Sequence, residues 1–181
     1  HLTLGGVVVI VELGLGDWVR ERTTNRGLRL RGFGQAHDLE WPDGDFPRIG
    51  SAVPRSDFDD KIRHTALNAG ARMADNAKAV DVTFSGDRIE SVTFTTTQGP
   101  RSISCRTLIV ADGVRSTLGK KLGREWHRDT AYGVAARAYI PTPHSEDPWI
   151  TSHLELRDDT GALQAGYGWI FPLGTGEVNI G

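Results

Sequence analysis

The chain has 181 residues, 38% of them apolar and 24% charged, with 22 glycines and 8 prolines, so it can bury one core and is too apolar to be disordered. Its 21 basic and 23 acidic side chains alternate along the sequence and leave a formal charge of -2, which excludes a nucleic-acid partner on electrostatic grounds. The single cysteine, Cys105, excludes an internal disulfide and fits a reducing compartment, and no apolar run is long enough to cross a bilayer, so a cytoplasmic protein, soluble or peripheral at a membrane, is expected.

In chain order, the β-branched run Val7, Val8, Val9, Ile10, Val11 predicts a short buried strand, and residues 12–20 a helix end and turn. Residues 27–32 and 36–41 alternate apolar and polar positions around glycines and predict a hairpin, followed by a turn cluster at 42–47. From Ser56 the period changes: Phe58, Ile62, Thr65, Ala66 and Ala69 predict a helix over about 57–69, capped by Ser56 and ended by Gly70. Runs at 77–84, 89–96 and 102–111, separated by Ser-Gly-Asp and Gln-Gly-Pro turns, predict a three-stranded meander whose last strand ends in a covered Leu108, Ile109, Val110, Ala111 segment. A short helix at about 117–122 follows. Runs at 134–140, 149–156 and 166–171 then predict a second, antiparallel sheet.

Three stretches point to chemistry. In 108–117 a strand runs through Asp112-Gly113 into a helix that Ser116 can cap. Gly113 permits close backbone approach, helix N–H groups favour an anion, Asp112 can accept hydroxyl hydrogen bonds and Arg115 can neutralise a phosphate, although an ordinary strand–helix turn fits the same residues. In 51–63 Arg55 stands just before a helix and can face a phosphate or a flavin edge, while capping and surface charge explain the same pattern. In 166–181 Tyr167, Trp169 and Phe171 fall on one face of a strand that Pro172 breaks; such a stripe is either core or the wall of a pocket for an elongated apolar ligand. The Gly14-Leu-Gly-Asp-Trp18 segment lacks the third glycine of a nucleotide loop. The six histidines, His127 and His153 among them, have no metal-ligand spacing and are assigned to surface or packing, and Ser116 and Cys105 lack a base partner.

Together these stretches resemble the geranylgeranyl reductase family of FAD-dependent oxidoreductases, within the p-hydroxybenzoate hydroxylase-like flavoprotein fold, and are most similar to its actinobacterial quinone-tail-reducing members. Tyr167, Trp169, Phe171, Pro172 and, after a gap, Gly181 resemble that family's substrate-cavity signature. Ala111, Asp112, Gly113 and Arg115 resemble its FAD-contacting segment, and Arg55 its lead into the helix before the meander. The resemblance implies FAD held by Arg55, Val80, Ala111, Asp112, Gly113 and Arg115, and an isoprenoid lipid or menaquinone tail held by Tyr167, Trp169, Phe171, Pro172 and Gly181. The implied reaction is a two-electron reduction of an isoprenoid double bond, with hydride from a reduced flavin at one alkene carbon and a proton at the other. The proton donor and the electron donor, NAD(P)H or another reductant, stay open.

The implied fold is α/β with α+β character: residues 1–131 as an incomplete FAD-binding Rossmann-like domain with a β-meander and an inserted hairpin (about 26–53) on the substrate side, and 132–181 as the start of an antiparallel substrate sheet. The family's Gly-x-Gly-x-x-Gly unit, its cysteine loop and its later Gly-Asp segment are absent, so the expectation is an internal portion of a longer flavoenzyme. Two other readings remain open, an aromatic-ring flavin monooxygenase and a non-catalytic lipid-binding β-rich module.

Overall fold

The computed structural model describes residues 4–45, 48–125 and 133–181; His127, the boundary at 131–132 and part of the 42–47 turn lie outside the described residues. The chain divides into two compact units, residues 1–69 with 133–181, and residues 70–132.

The first unit opens with helices α1 (Leu4–Glu12) and α2 (Gly16–Arg20). The strand expected at 7–11 is therefore a helix. Its β-branched residues cost a few tenths of a kcal/mol each in helix propensity. That cost is outweighed because the chain reverses at Gly14 (φ 75°) and folds Ile10 against Leu15 and Val19, with Trp18, Phe58 and Ile62 packed on them. After β1 (Thr24–Asn25) the expected hairpin forms from β2 (Gly27–Gly32) and β3 (Gln35–Glu40), with Leu28 opposite Leu39 and Leu30 opposite His37. The two-residue strand β4 (Gly50–Ser51) returns to β1.

Helix α3 (Arg55–Asn68) starts two residues earlier than the periodicity predicts, and Ser56 does not cap it: Pro54 (φ -56°, ψ 138°) sets the entry, and the Ser56 hydroxyl lies inside the first turn, donating to Asp57. Gly70 ends the helix in the left-handed region (φ 93°), as glycine after a helix commonly does.

Later in the chain, β8 (Ala138–Pro141), β9 (Trp149–His153), β12 (Gly168–Pro172) and β13 (Glu177–Ile180) join the hairpin in one six-stranded sheet of order β3-β2-β9-β12-β13-β8. Two short strands, β10 (Leu156–Arg157) and β11 (Leu163–Gln164), pair beside it, so the strand expected over 149–156 is interrupted after His153. The later strands pair antiparallel as expected, β9 with β12, β12 with β13 and β13 with β8, and the hairpin joins them through a parallel pair of β2 with β9, Leu30 opposite Ser152. Alternation in sequence sets which face a residue occupies, not the direction of a partner more than a hundred residues away. On one face Arg29 bridges that join, bonding Asp38 of β3 and Asp147 ahead of β9; the Asp38 hydrogen bond is the main cause of its raised pKa.

The second unit holds the meander β5 (Lys78–Ser85), β6 (Arg88–Thr96) and β7 (Gly99–Ser104), then helix α4 (Thr117–Lys121). The third strand stops at Ser104. The covered continuation expected over 108–111 does not form: Ile109 is 84% exposed, and no strand among the described residues pairs with it. An apolar run needs a partner sheet before its backbone can pair and its side chains can be buried.

Helix α1 yields a test that a buried strand would fail. Ile10→Ala, at a buried position, is expected to lower unfolding free energy by about 2–4 kcal/mol. The neighbouring Val9→Ala, half exposed, should stay within about 0.5 kcal/mol, both read by urea denaturation.

Candidate functional site

Two concavities carry the chemistry-bearing residues, one in each unit. In the first unit a groove of about 90 Å³ is lined by Ala52, Val53, Arg55, Arg137, Tyr139, Trp169, Phe171, Leu173 and Asn179. Strand pairing builds it. Phe171 of β12 lies opposite Asn179 of β13, which lies opposite Tyr139 of β8, so the three residues form one row across a single face. The next row carries Trp169, paired by two backbone hydrogen bonds (2.8 and 3.1 Å) to Gly181. The Trp169 and Phe171 rings are stacked with centroids 6.1 Å apart, and Tyr167 stands 6.1 Å beyond Trp169.

Trp169 is held from two sides. Its Nε1–H donates to Asn179 Oδ1 at 2.8 Å, and a Cβ added at Gly181 would lie 2.2 Å from Trp169 Cζ2, so only glycine there lets the indole lie across β13. Arg55 reaches the groove from the first turn of α3 while bonding Asp59 through two nitrogens, each at 3.0 Å. That pairing, first through its hydrogen bond, raises the guanidinium pKa and leaves fewer of its donors for a ligand.

In the second unit an open concavity of about 690 Å³ is lined by Val110, Ala111, Asp112, Gly113, Ser116, Gly119, Leu122, Gly123 and Arg124. Gly113 takes φ 84° with no atom within 4 Å of where a Cβ would stand, so another group can approach its backbone. The Asp112 carboxylate is exposed and has no hydrogen-bond partner among the described residues, nor does the Arg115 guanidinium. Ser116 caps α4 as expected, its Oγ accepting from Gly119 N at 2.7 Å. The helix has only five residues and its cap occupies that N–H, so the helix end is not the open anion site expected of it. A free carboxylate, an open glycine backbone and a free guanidinium on one turn fit a ribose- and phosphate-bearing group such as FAD.

Of the residues singled out from sequence, Arg55, Trp169 and Phe171 meet in the groove, with Gly181 behind Trp169. Tyr167 lies outside it and continues the aromatic row, 55% exposed. Pro172 belongs to the opposite face, in a hollow with Arg29, Trp149 and Ile170. Ala111, Asp112 and Gly113 share the second concavity, and Arg115 flanks it. Val80 is the unpaired residue of a bulge in β5, between Ala79 opposite Phe94 and Asp81 opposite Thr93. Sequence reasoning missed Tyr139, Asn179 and Arg137. The alternation of Arg137 with Tyr139 was a usable signal, but the register that sets Asn179 between Tyr139 and Phe171 was not.

No protein-family model matches the chain. It is 54% identical over 180 residues, 99% of its length, to a menaquinone reductase of Mycobacterium tuberculosis, and spans 44% of that protein's length. A digeranylgeranylglycerophospholipid reductase of Methanothermobacter thermautotrophicus is 28% identical over 132 residues, 73% of this chain and 34% of the relative. A solved structure described as geranylgeranyl bacteriochlorophyll reductase-like, from Thermoplasma acidophilum, shares the fold with a TM-score of 0.68 at 20% identity, covering 89% of this chain and 41% of that one. The resemblance read from the motifs is borne out, and the mixed α/β fold is that of FAD-dependent oxidoreductases.

Gly181→Ala is expected to displace the Trp169 indole, cost about 1–3 kcal/mol through overpacking, and change the near-UV circular dichroism. Ser116→Ala should cost about 1 kcal/mol through loss of the cap, read as a lower denaturation midpoint with the near-UV signal of the groove unchanged.

Proposed function

We propose that this chain, a homologue of the menaquinone reductases over almost its whole length, carries lipid-binding and cofactor-binding parts of an FAD-dependent reductase that saturates an isoprenoid double bond in a quinone tail. The observation that carries this reading is the groove over Trp169 and Phe171. At about 90 Å³, lined by aromatic and aliphatic side chains, it has room for one branched five-carbon unit.

In this reading the stacked rings of Trp169 and Phe171 bury the alkene-bearing segment and exclude water from it, and Tyr167 guides the chain leading outward. Asp112 accepts from ribose or ribityl hydroxyls, Gly113 admits the cofactor to the backbone, and Arg115 neutralises phosphate. Arg55, steadied by Asp59, presents its remaining donors at the groove edge. FAD bound by Asp112, Gly113 and Arg115 would supply hydride-transfer chemistry. In this reading the chain meets its water-insoluble substrate at a membrane surface; among the described residues no helix is long and apolar enough to cross a membrane.

Titrating the 181-residue chain with FAD, following flavin fluorescence and thermal stability together, should show saturable binding and a raised Tm. Asp112→Ala should weaken that binding about tenfold, as expected for loss of a charged hydrogen-bond acceptor. Trp169→Ala should weaken binding of a prenyl lipid by about tenfold while leaving FAD affinity in place. Unchanged prenyl affinity in that variant would remove the groove from the reading.

A further inference from the structure

The groove contains one buried polar side chain that an apolar tail does not explain. Asn179 is 8% exposed, lies on the central strand of the row Phe171–Asn179–Tyr139, and lines the groove. The orientation of its amide is fixed chemically. An indole N–H only donates, so the atom facing Trp169 Nε1 at 2.8 Å must be the amide oxygen. The nitrogen, with two N–H donors, is then turned away from the indole.

Those donors have no acceptor among the described residues. They are not sealed in the protein either: among the described residues, the buried side-chain polar atom lacking any partner is Asn25 Nδ2, not Asn179 Nδ2. They therefore open on the groove. The guanidinium donors there, those of Arg55 and Arg137, are exposed and can remain hydrated when a ligand enters. Asn179 cannot, because an apolar occupant would strip its water and leave two donors unmade, a penalty comparable to a lost hydrogen bond.

We propose that Asn179 makes the groove selective for a prenyl lipid that carries a carbonyl oxygen beside its chain, over a prenyl hydrocarbon of similar length. The carbonyl accepts from Asn179 Nδ2 while the adjoining prenyl unit lies against Trp169. Asn179 thus has two separable roles: its oxygen positions the indole, and its nitrogen reads the ligand. This inference rests on the reading of the groove as a prenyl-lipid site.

The test uses the 15N-labelled 181-residue chain in detergent micelles. The Trp169 indole N–H and the Asn179 side-chain NH2 signals are assigned by their loss in Trp169→Phe and Asn179→Asp. Titration with menaquinone is expected to shift the Asn179 signals saturably and to show an affinity about tenfold above that for squalene, a polyisoprenoid hydrocarbon. Asn179→Asp keeps an oxygen for the indole, so the Trp169 signal should stay in place while menaquinone affinity falls to that of squalene.

Equal affinity for the two lipids in the unsubstituted chain, or an Asn179→Asp variant that retains the preference, overturns the inference and leaves the prenyl-lipid reading standing. A shift of the Asn179 signals by FAD and not by menaquinone also overturns it, assigning the donors to a flavin carbonyl. Failure of both lipids to bind overturns the functional reading and this inference with it.

Discussion

The geometry of the groove depends on the pairing of β12 with β13, and within it on the place where Trp169 meets Gly181. Two backbone hydrogen bonds fix the register there. Because Gly181 has no side chain, the indole lies across the neighbouring strand and reaches Asn179. A register slip of one residue would turn Trp169 and Phe171 to the opposite face, among Arg29, Trp149 and Ile170, and would leave the groove without its aromatic floor. The aromatic ladder follows from strand register and one glycine, and aromatic attraction refines what they set.

Electrostatics divides the sheet by face. On the side away from the groove, Arg29 joins Asp38 and Asp147 and lies 5.7 Å from the Trp149 ring, tying the hairpin to β9. The ion pair is only partly exposed, which makes it worth more than a surface bridge, and its position across the parallel pair supports a junction that no short turn can enforce. On the groove side, Arg55 has a single carboxylate partner, Asp59, on its own helix, a pairing that leaves it near the aromatic row. Fixed charge on one face holds the strands together, while the other face carries the aromatic row and a few directed donors.

Elements whose signal is local were legible in the sequence. The hairpin, the first two meander strands, helix α3 and the capped α4 come from alternation, glycine turns and period, and they formed within a few residues of expectation. The misjudged features were set by distant contacts. A β-branched run became a helix because Ile10 found Leu15 and Val19 across a tight reversal, and the apolar run over 108–111 found no partner strand among the described residues. Burial of a few side chains outweighs propensities of tenths of a kcal/mol, and a single sequence does not show which burial partner will be present.

The same division explains which site residues were found. Trp169 and Phe171 announce themselves by spacing and aromatic mass, and Asp112-Gly113 by turn chemistry after an apolar run. Asn179 gives no such signal, since an asparagine before an apolar residue near a glycine reads as an ordinary turn former. Its significance appears only when β13 is inserted between β12 and β8, which buries the amide beside an indole that can only donate. Polar residues of this kind acquire chemical direction from neighbours in space. In a groove otherwise shaped by rings, such a fixed donor direction is what a preference between ligands would require, because apolar contact alone is non-directional.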